Sequence, residues 1–290
     1  MLTKPVLALL VKRVPLLAII LLFIGFLSPL WLSPVNLYAS YTDDFYYYLK
    51  IAESFNRGQG LSFTPGIHTN GYQPFFQFFI IGLVYLANIT GAPPLVLIRI
   101  VLALVFLCFS LLLLQQVKPK GGVATLFFLS GLLCYYFIGS SGMESLFMVP
   151  VLTWYVIQLR NNNLSVYAAA LVVVLAFFIR IDSFVITLPL FLYYLKNNAG
   201  PLPKLWKPVL LSGLIMGVPV AVYLLMNYMQ YQTLFPISGL AKTVTRTVGI
   251  NAATFESFFH YYPYNFYNLA ITVIFILIVL SCNHHLLMCL

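Results

Sequence analysis

Asp43 and Asp44 stand side by side in Tyr41-Thr42-Asp43-Asp44-Phe45-Tyr46-Tyr47-Tyr48, and the chain has only six acidic residues in all. The other four are Glu53, Glu144, Asp182 and Glu256. An ionised carboxylate near lipid costs several kcal/mol unless it faces water, a partner or a cavity. Adjacent carboxylates also repel, which raises the proton affinity of one of them unless a cation or a substrate hydroxyl stabilises it. Such a group at a cavity is suited to taking a proton from an attacking hydroxyl. Successive helix residues point about 100° apart, so one of the two faces the reacting atoms, and Asp44 is favoured. Helix capping by Asp43 is the simpler reading. It leaves the second acid unexplained.

The remaining candidates each carry two readings. Glu144 follows Gly139-Ser140-Ser141-Gly142-Met143; it either stabilises a helix N-terminus through the dipole or adds a carboxylate to the same cavity. Arg180 and Asp182 form a local ion pair at a helix junction, or Arg180 holds Asp44 or a substrate phosphate. Lys242 and Arg246 lie one helical turn apart if that segment is helical. By default they are a solvated face. A phosphate would give both a purpose, since Lys binds it as a point charge and Arg bidentately. His68 is incidental to a turn or touches substrate. Tyr41, the Tyr46–Tyr48 run and Tyr72 fit an interfacial aromatic belt or stacking on a sugar ring. Asn88-Ile89-Thr90 matches the glycosylation pattern. Cys108, Cys134, Cys282 and Cys289 have no CxxC spacing, so neither a disulfide framework nor a zinc site is indicated. No cofactor is specified, and no His/Cys/carboxylate cluster calls for a divalent metal.

The elements that must position these residues follow from composition. The chain is 62% apolar and 7% charged, where a soluble domain carries about 25% charged residues. It is expected to be an all-α, polytopic helical membrane protein with about 8 transmembrane helices. Its net charge of +9 is spread between apolar segments, which points to positive-inside topology rather than to nucleic acid. Lys4, Lys12 and Arg13 precede an apolar run from Val14 of roughly 20 residues, long enough to span. This reads as an uncleaved first helix with a cytoplasmic N-terminus. Further spans are expected at 95–115, 122–138, 144–159, 164–180, 183–196, 209–229 and 266–282.

The apolar stretch 74–88 decides the topology. It is short, is interrupted by Gln77, and lies between Pro74 and a Gly91-Ala92-Pro93-Pro94 turn. Laid along the outer surface as an interfacial helix, it puts Lys118-Pro119-Lys120 and the Lys196, Lys204, Lys207 loop inside. Nine of the fifteen Lys and Arg residues then fall inside, and all six acids fall outside or at outer helix ends. The outer loop 36–94 is expected to hold a helix capped by Thr42 or Asp43 and running to about Asn56. A Glu53–Arg57 pair, Gly58 at the C-cap and a turn-rich connection over 60–66 complete that loop. A second large outer loop spans 230–265. The whole of 1–290 reads as a single membrane domain.

These motifs together resemble the lipid-dependent glycosyltransferases of the C-type (GT-C) membrane fold, bacterial and archaeal members above all. The likeness covers roughly residues 14–246. It is carried by Asp43-Asp44-Phe45-Tyr46-Tyr47-Tyr48, Gly58-Gln59-Gly60-Leu61-Ser62-Phe63, Thr69-Asn70-Gly71-Tyr72-Gln73-Pro74, Ser141-Gly142-Met143-Glu144, Arg180-Ile181-Asp182 and Leu234-Phe235-Pro236-Ile237-Ser238-Gly239-Leu240-Ala241-Lys242. The resemblance implies an inverting sugar transfer from a polyprenyl-phosphate donor to a lipid or glycan acceptor on the non-cytoplasmic face of a plasma membrane. An acid of the Asp43–Asp44 pair would be the base, and Lys242 would neutralise the phosphate of the leaving carrier. It also implies an interfacial helix after the first loop. The sequence departs from it at Gln73, where many relatives carry His. It stops at Leu290, where relatives continue with more spans, so the family's C-terminal region is expected to be missing. The alternatives are a transporter or lipid flippase, and an inactive truncated relative acting as a subunit.

Overall fold

The computed structural model describes residues 4–64, 66–119, 121–198 and 206–234. All of these fall in one compact unit, Met1–Ala241, and the second unit, Lys242–Leu290, lies outside the described residues. The described chain is almost entirely helical. The first helix, α1 (Lys4–Leu27), begins earlier and ends sooner than its apolar run suggests. The Ser28 hydroxyl turns back onto the Gly25 carbonyl at 2.7 Å, and Pro29 opens a short new helix, α2 (Pro29–Leu32). Ser33 then caps α3 (Pro34–Ala39) by accepting from the Asn36 N–H.

Next come α4 (Asp43–Asn56) and a small antiparallel ribbon in place of the expected turns. That ribbon pairs β1 (Ser62–Thr64) with β2 (Ile67–His68). Gly58, at φ +77°, lets the chain leave α4. The stretch 74–88 forms α5 (Pro74–Thr90), opened by proline at its first position and closed by Gly91 at φ +70°. Then follow α6 (Pro94–Val117), α7 (Gly121–Ser140), α8 (Ser145–Arg160), α9 (Val166–Ile179), a 3-10 turn at Ile181–Ser183, α10 (Phe184–Asn198) and α11 (Trp206–Tyr231). The limits of helices α6 to α11 agree with those expected to within a few residues, and 266–282 lies outside the described residues. Among the described residues three helices are long and apolar enough to cross a membrane: α6, α7 from Val123, and α11. The other apolar helices are shorter.

Hydrogen bonds fix which helix ends lie together. The Arg99 guanidinium, five residues into α6, donates to the Phe26 carbonyl near the end of α1 and to the Ser140 carbonyl at the end of α7, both at 2.7 Å. The Tyr41 hydroxyl donates to the Leu95 carbonyl at the start of α6. The Thr42 N–H donates to the Ser141 carbonyl between α7 and α8 at 3.1 Å. At the far side, Gln73 accepts from the Ile181 N–H just after α9. Both ends of α5 therefore return to the same end of the bundle, so α5 lies across that end and does not run its length. Helix α4 does likewise, from Ser141 at its start to the ribbon at its finish, and the Asn56 side chain ties it to the Ile81 carbonyl of α5. Together α4, the ribbon and α5 form a cap.

Beneath the cap, Phe26, Phe106, Ile98, Leu102 and Ile19 pack with Phe45, Phe76 and Leu146 in one core cluster. Arg99 is 2% exposed and lies over the Phe26 ring at 4.5 Å and the Tyr41 ring at 5.5 Å. Its charge meets the negative ends of two helices, which is why an arginine is tolerated here. Arg99→Met keeps the volume but removes both charge-assisted hydrogen bonds, so it should cost on the order of 3 kcal/mol. Denaturant unfolding of purified protein checks this, with exposed Lys50→Met as the control that changes stability little.

Candidate functional site

Helix α4 presents the acid pair because Thr42 starts it in extended geometry and docks on Ser141 instead of capping. Asp43 and Asp44 are both exposed. They line an open cleft of about 530 Å3 with Tyr46, Tyr47, Lys50, Glu53 and Phe63. Among the described residues neither carboxylate has a hydrogen bond or ion pair. Tyr47 stacks on Phe63 at 4.9 Å, and its hydroxyl shares a 2.7 Å hydrogen bond with Thr69. The cleft thus has a rigid aromatic wall. The expected Glu53–Arg57 pair is present at 3.9 Å on the surface, a geometry that contributes little to stability.

One turn beyond Asp44, the Tyr48 side chain faces inward. Its hydroxyl accepts from the Gln73 N–H at 3.1 Å and donates to Glu144 Oε2 at 3.5 Å. Burial pushes the Tyr48 phenol up; the Glu144 charge adds to this and the Asp44 charge adds less, while the Gln73 amide opposes them. The phenol is therefore held as a donor to Glu144 by the Gln73 amide. Gln77 braces the same turn, donating to the Tyr48 carbonyl at 3.0 Å.

Glu144 stands at the N-cap position of α8, yet its side chain caps nothing. It is 3% exposed and accepts from Arg180 Nη1 at 3.2 Å. Arg180 closes α9 and also grips Asp182, Nε to Oδ1 at 2.8 Å and Nη2 to Oδ2 at 3.0 Å. Both readings of Glu144 and Arg180 are thereby sharpened. Arg180 is a local ion-pair centre that two carboxylates occupy, and it does not hold Asp44. Hydrogen bonding to Asp182 pushes the guanidinium up, which reinforces a charge that arginine keeps in any case. Burial pushes the Glu144 carboxyl up, and Arg180 only partly offsets this. Gln73 joins the two halves, giving its N–H to Tyr48 and its side-chain oxygen to the Ile181 N–H at 3.0 Å.

Two candidates sit elsewhere. Tyr72 is buried in the core cluster that holds Phe45 and Phe76, with Tyr231 of α11 near its phenol. His68 is exposed and borders a separate hollow of about 360 Å3 with Leu61, Gln230 and Tyr231. It lies so close to Gly60 that a side chain there would meet the imidazole at 2.6 Å. Lys242 and Arg246 lie outside the described residues, as does Glu256. No group of three or more His, Cys, Asp or Glu among the described residues could hold a metal ion.

Sequence reasoning passed over Tyr48, Gln73 and Arg99 as working residues. Tyr48 was hidden in an aromatic run, and only pairing it with Asp44 at i, i+4 would have singled it out. A lone arginine inside a candidate span was the available signal for Arg99. No known protein family, curated protein or solved structure matches the chain.

Because Glu144 has a raised folded-state pKa, its contribution to stability is complete in acid, below the value in the unfolded chain. It is lost as pH rises through the folded value. Glu144→Gln removes that dependence. The stability of wild type relative to Glu144→Gln should therefore fall as pH rises from 4 to 8, measured by denaturant unfolding at each pH.

Proposed function

We propose that this chain is an integral membrane glycosyltransferase that moves a sugar from polyprenyl phosphate to an acceptor hydroxyl, with inversion, at the non-cytoplasmic face. The observation that supports it most is that the acid pair shares one capped end of the bundle with Glu144, Arg180 and Asp182, which stand outside its cleft and are tied to the same helix α4 through Tyr48 and Gln73. Asp44 takes the proton of the acceptor hydroxyl, whose oxygen attacks the anomeric carbon. The bond from that carbon to the phosphate oxygen breaks, and polyprenyl phosphate leaves with the electron pair. A cation must face the anion that forms. Since Asp182 and Glu144 occupy Arg180, that role goes to Lys242, on the strength of its sequence motif, with Arg246 as the second cation.

In this reading the chain is multi-pass with a cytoplasmic N-terminus, and the capped end faces outward. The exposed apolar stripe Phe78, Tyr85, Leu86 and Ile89 on α5 supports an interfacial helix whose free face meets the lipid boundary. The Lys and Arg residues that end α8 and α10 fall inside, in keeping with the positive-inside rule.

Two experiments test this. Membranes holding the chain are given a labelled polyprenyl-phosphate sugar and an acceptor. Asp44→Asn should cut transfer by at least about 100-fold, as expected for loss of a general base, and Lys242→Ala should do so comparably. Transfer that survives both would remove the assigned roles. In a cysteine-free background, a single cysteine at Asn88 should react with an impermeant thiol reagent added outside, as should one at Lys50. Reaction of the Asn88 position from inside only would mean that α5 crosses.

A further inference from the structure

The end of the bundle away from the acids carries a groove that sugar transfer does not use. It lies between the last turns of α8 and α10 and has a volume of about 490 Å3, within the range of small-molecule sites. In both helices the apolar lining comes first and the polar lining follows at the end. Val156, Leu159 and Leu190 form the part nearer the middle of the helices, and Arg160, Asn162 and Asn197 the part at their ends. The described acids are absent from this end. The described charged side chains at this end include Lys118, Arg160, Lys196 and Lys207, whereas the five described acids all belong to the other. Exposed aromatics mark the same level: Tyr193 beside the groove is 69% exposed and Trp206 60%, and Lys207 lies over the Trp206 ring at 5.4 Å. Exposed aromatic rings beside cations are the usual signature of a membrane–water boundary.

We propose that this groove is a binding site for an anionic phospholipid. The headgroup phosphate meets Arg160 and the Asn162 and Asn197 amides, and the first acyl methylenes lie along Val156, Leu159 and Leu190. Arg160 and Lys196 stand in the last turns of α8 and α10, where they offset the negative helix ends that would otherwise repel an anion. The site rests on the helices crossing a membrane and is independent of the proposed chemistry.

The test is native mass spectrometry of the purified full chain with equimolar phosphatidylglycerol and phosphatidylcholine. Wild type should retain phosphatidylglycerol in preference. Arg160→Ala should lower that preference about fivefold, the effect of one basic residue at a membrane surface. Leu190→Trp, which fills the apolar part of the groove, should lower it too, and Lys118→Ala, at the same end but outside the groove, should leave it unchanged. Absence of a preference in wild type would overturn the proposal, as would equal losses in Arg160→Ala and Lys118→Ala. Displacement of the lipid by excess glycerol phosphate would also overturn it, since the acyl methylenes are then not part of the site.

Discussion

A carboxylate finds neither water nor partner inside an apolar slab, and that constraint orders this molecule. Five acids in the described chain all stand at one end, and the one that is buried, Glu144, is reached by Arg180 and by the Tyr48 hydroxyl. Burial of Glu144 would be costly alone, because desolvation of an ion is only repaid by close partners and good geometry. Its partners come from two other elements, α4 and the end of α9. Holding that acid thus requires the cap to fold down onto the helix ends.

The cap in turn depends on backbone contacts more than on charge. Thr42 on Ser141, Tyr41 on Leu95 and Gln73 on Ile181 all use a main-chain group on at least one side. Gly142 lies where these meet, at φ +78°, and a Cβ there would stand 2.5 Å from the Tyr41 ring. Close approach of the α7–α8 connection to α4 therefore needs glycine on both steric and conformational grounds. From this approach follows the contact between Tyr48 and Glu144, which ties α4 to the start of α8.

Much of the architecture could be read before any coordinates. The limits of α4 follow from Thr42 and Gly58, and those of α5 from Pro74 and Gly91, because caps and breakers act locally. The end of α1 was not legible, since Pro29-Leu30-Trp31-Leu32 continues the apolar run past the break at Ser28. The ribbon was missed because strands of three and two residues carry no periodic signal, and their pairing is between backbones. At the site, Asp43, Asp44, Glu144, Arg180 and Asp182 were found by the scarcity of charge. Tyr48 and Gln73 were not, since what they do depends on which groups the fold brings to one hydroxyl and one amide. The separate setting of Tyr72 has the same origin: its partner Tyr231 is far away in sequence.

The acid pair and the Glu144 loop share one end of the bundle through the contact of Thr42 with Ser141. The direct measurement is disulfide trapping in a cysteine-free chain carrying Thr42→Cys and Ser141→Cys, oxidised in native membranes. Their backbones are joined by a 3.1 Å hydrogen bond, so an intramolecular bridge should form rapidly and nearly to completion. If no bridge forms while the doubly substituted protein remains folded, the cap does not sit on that end and the two sets of acids are not one site.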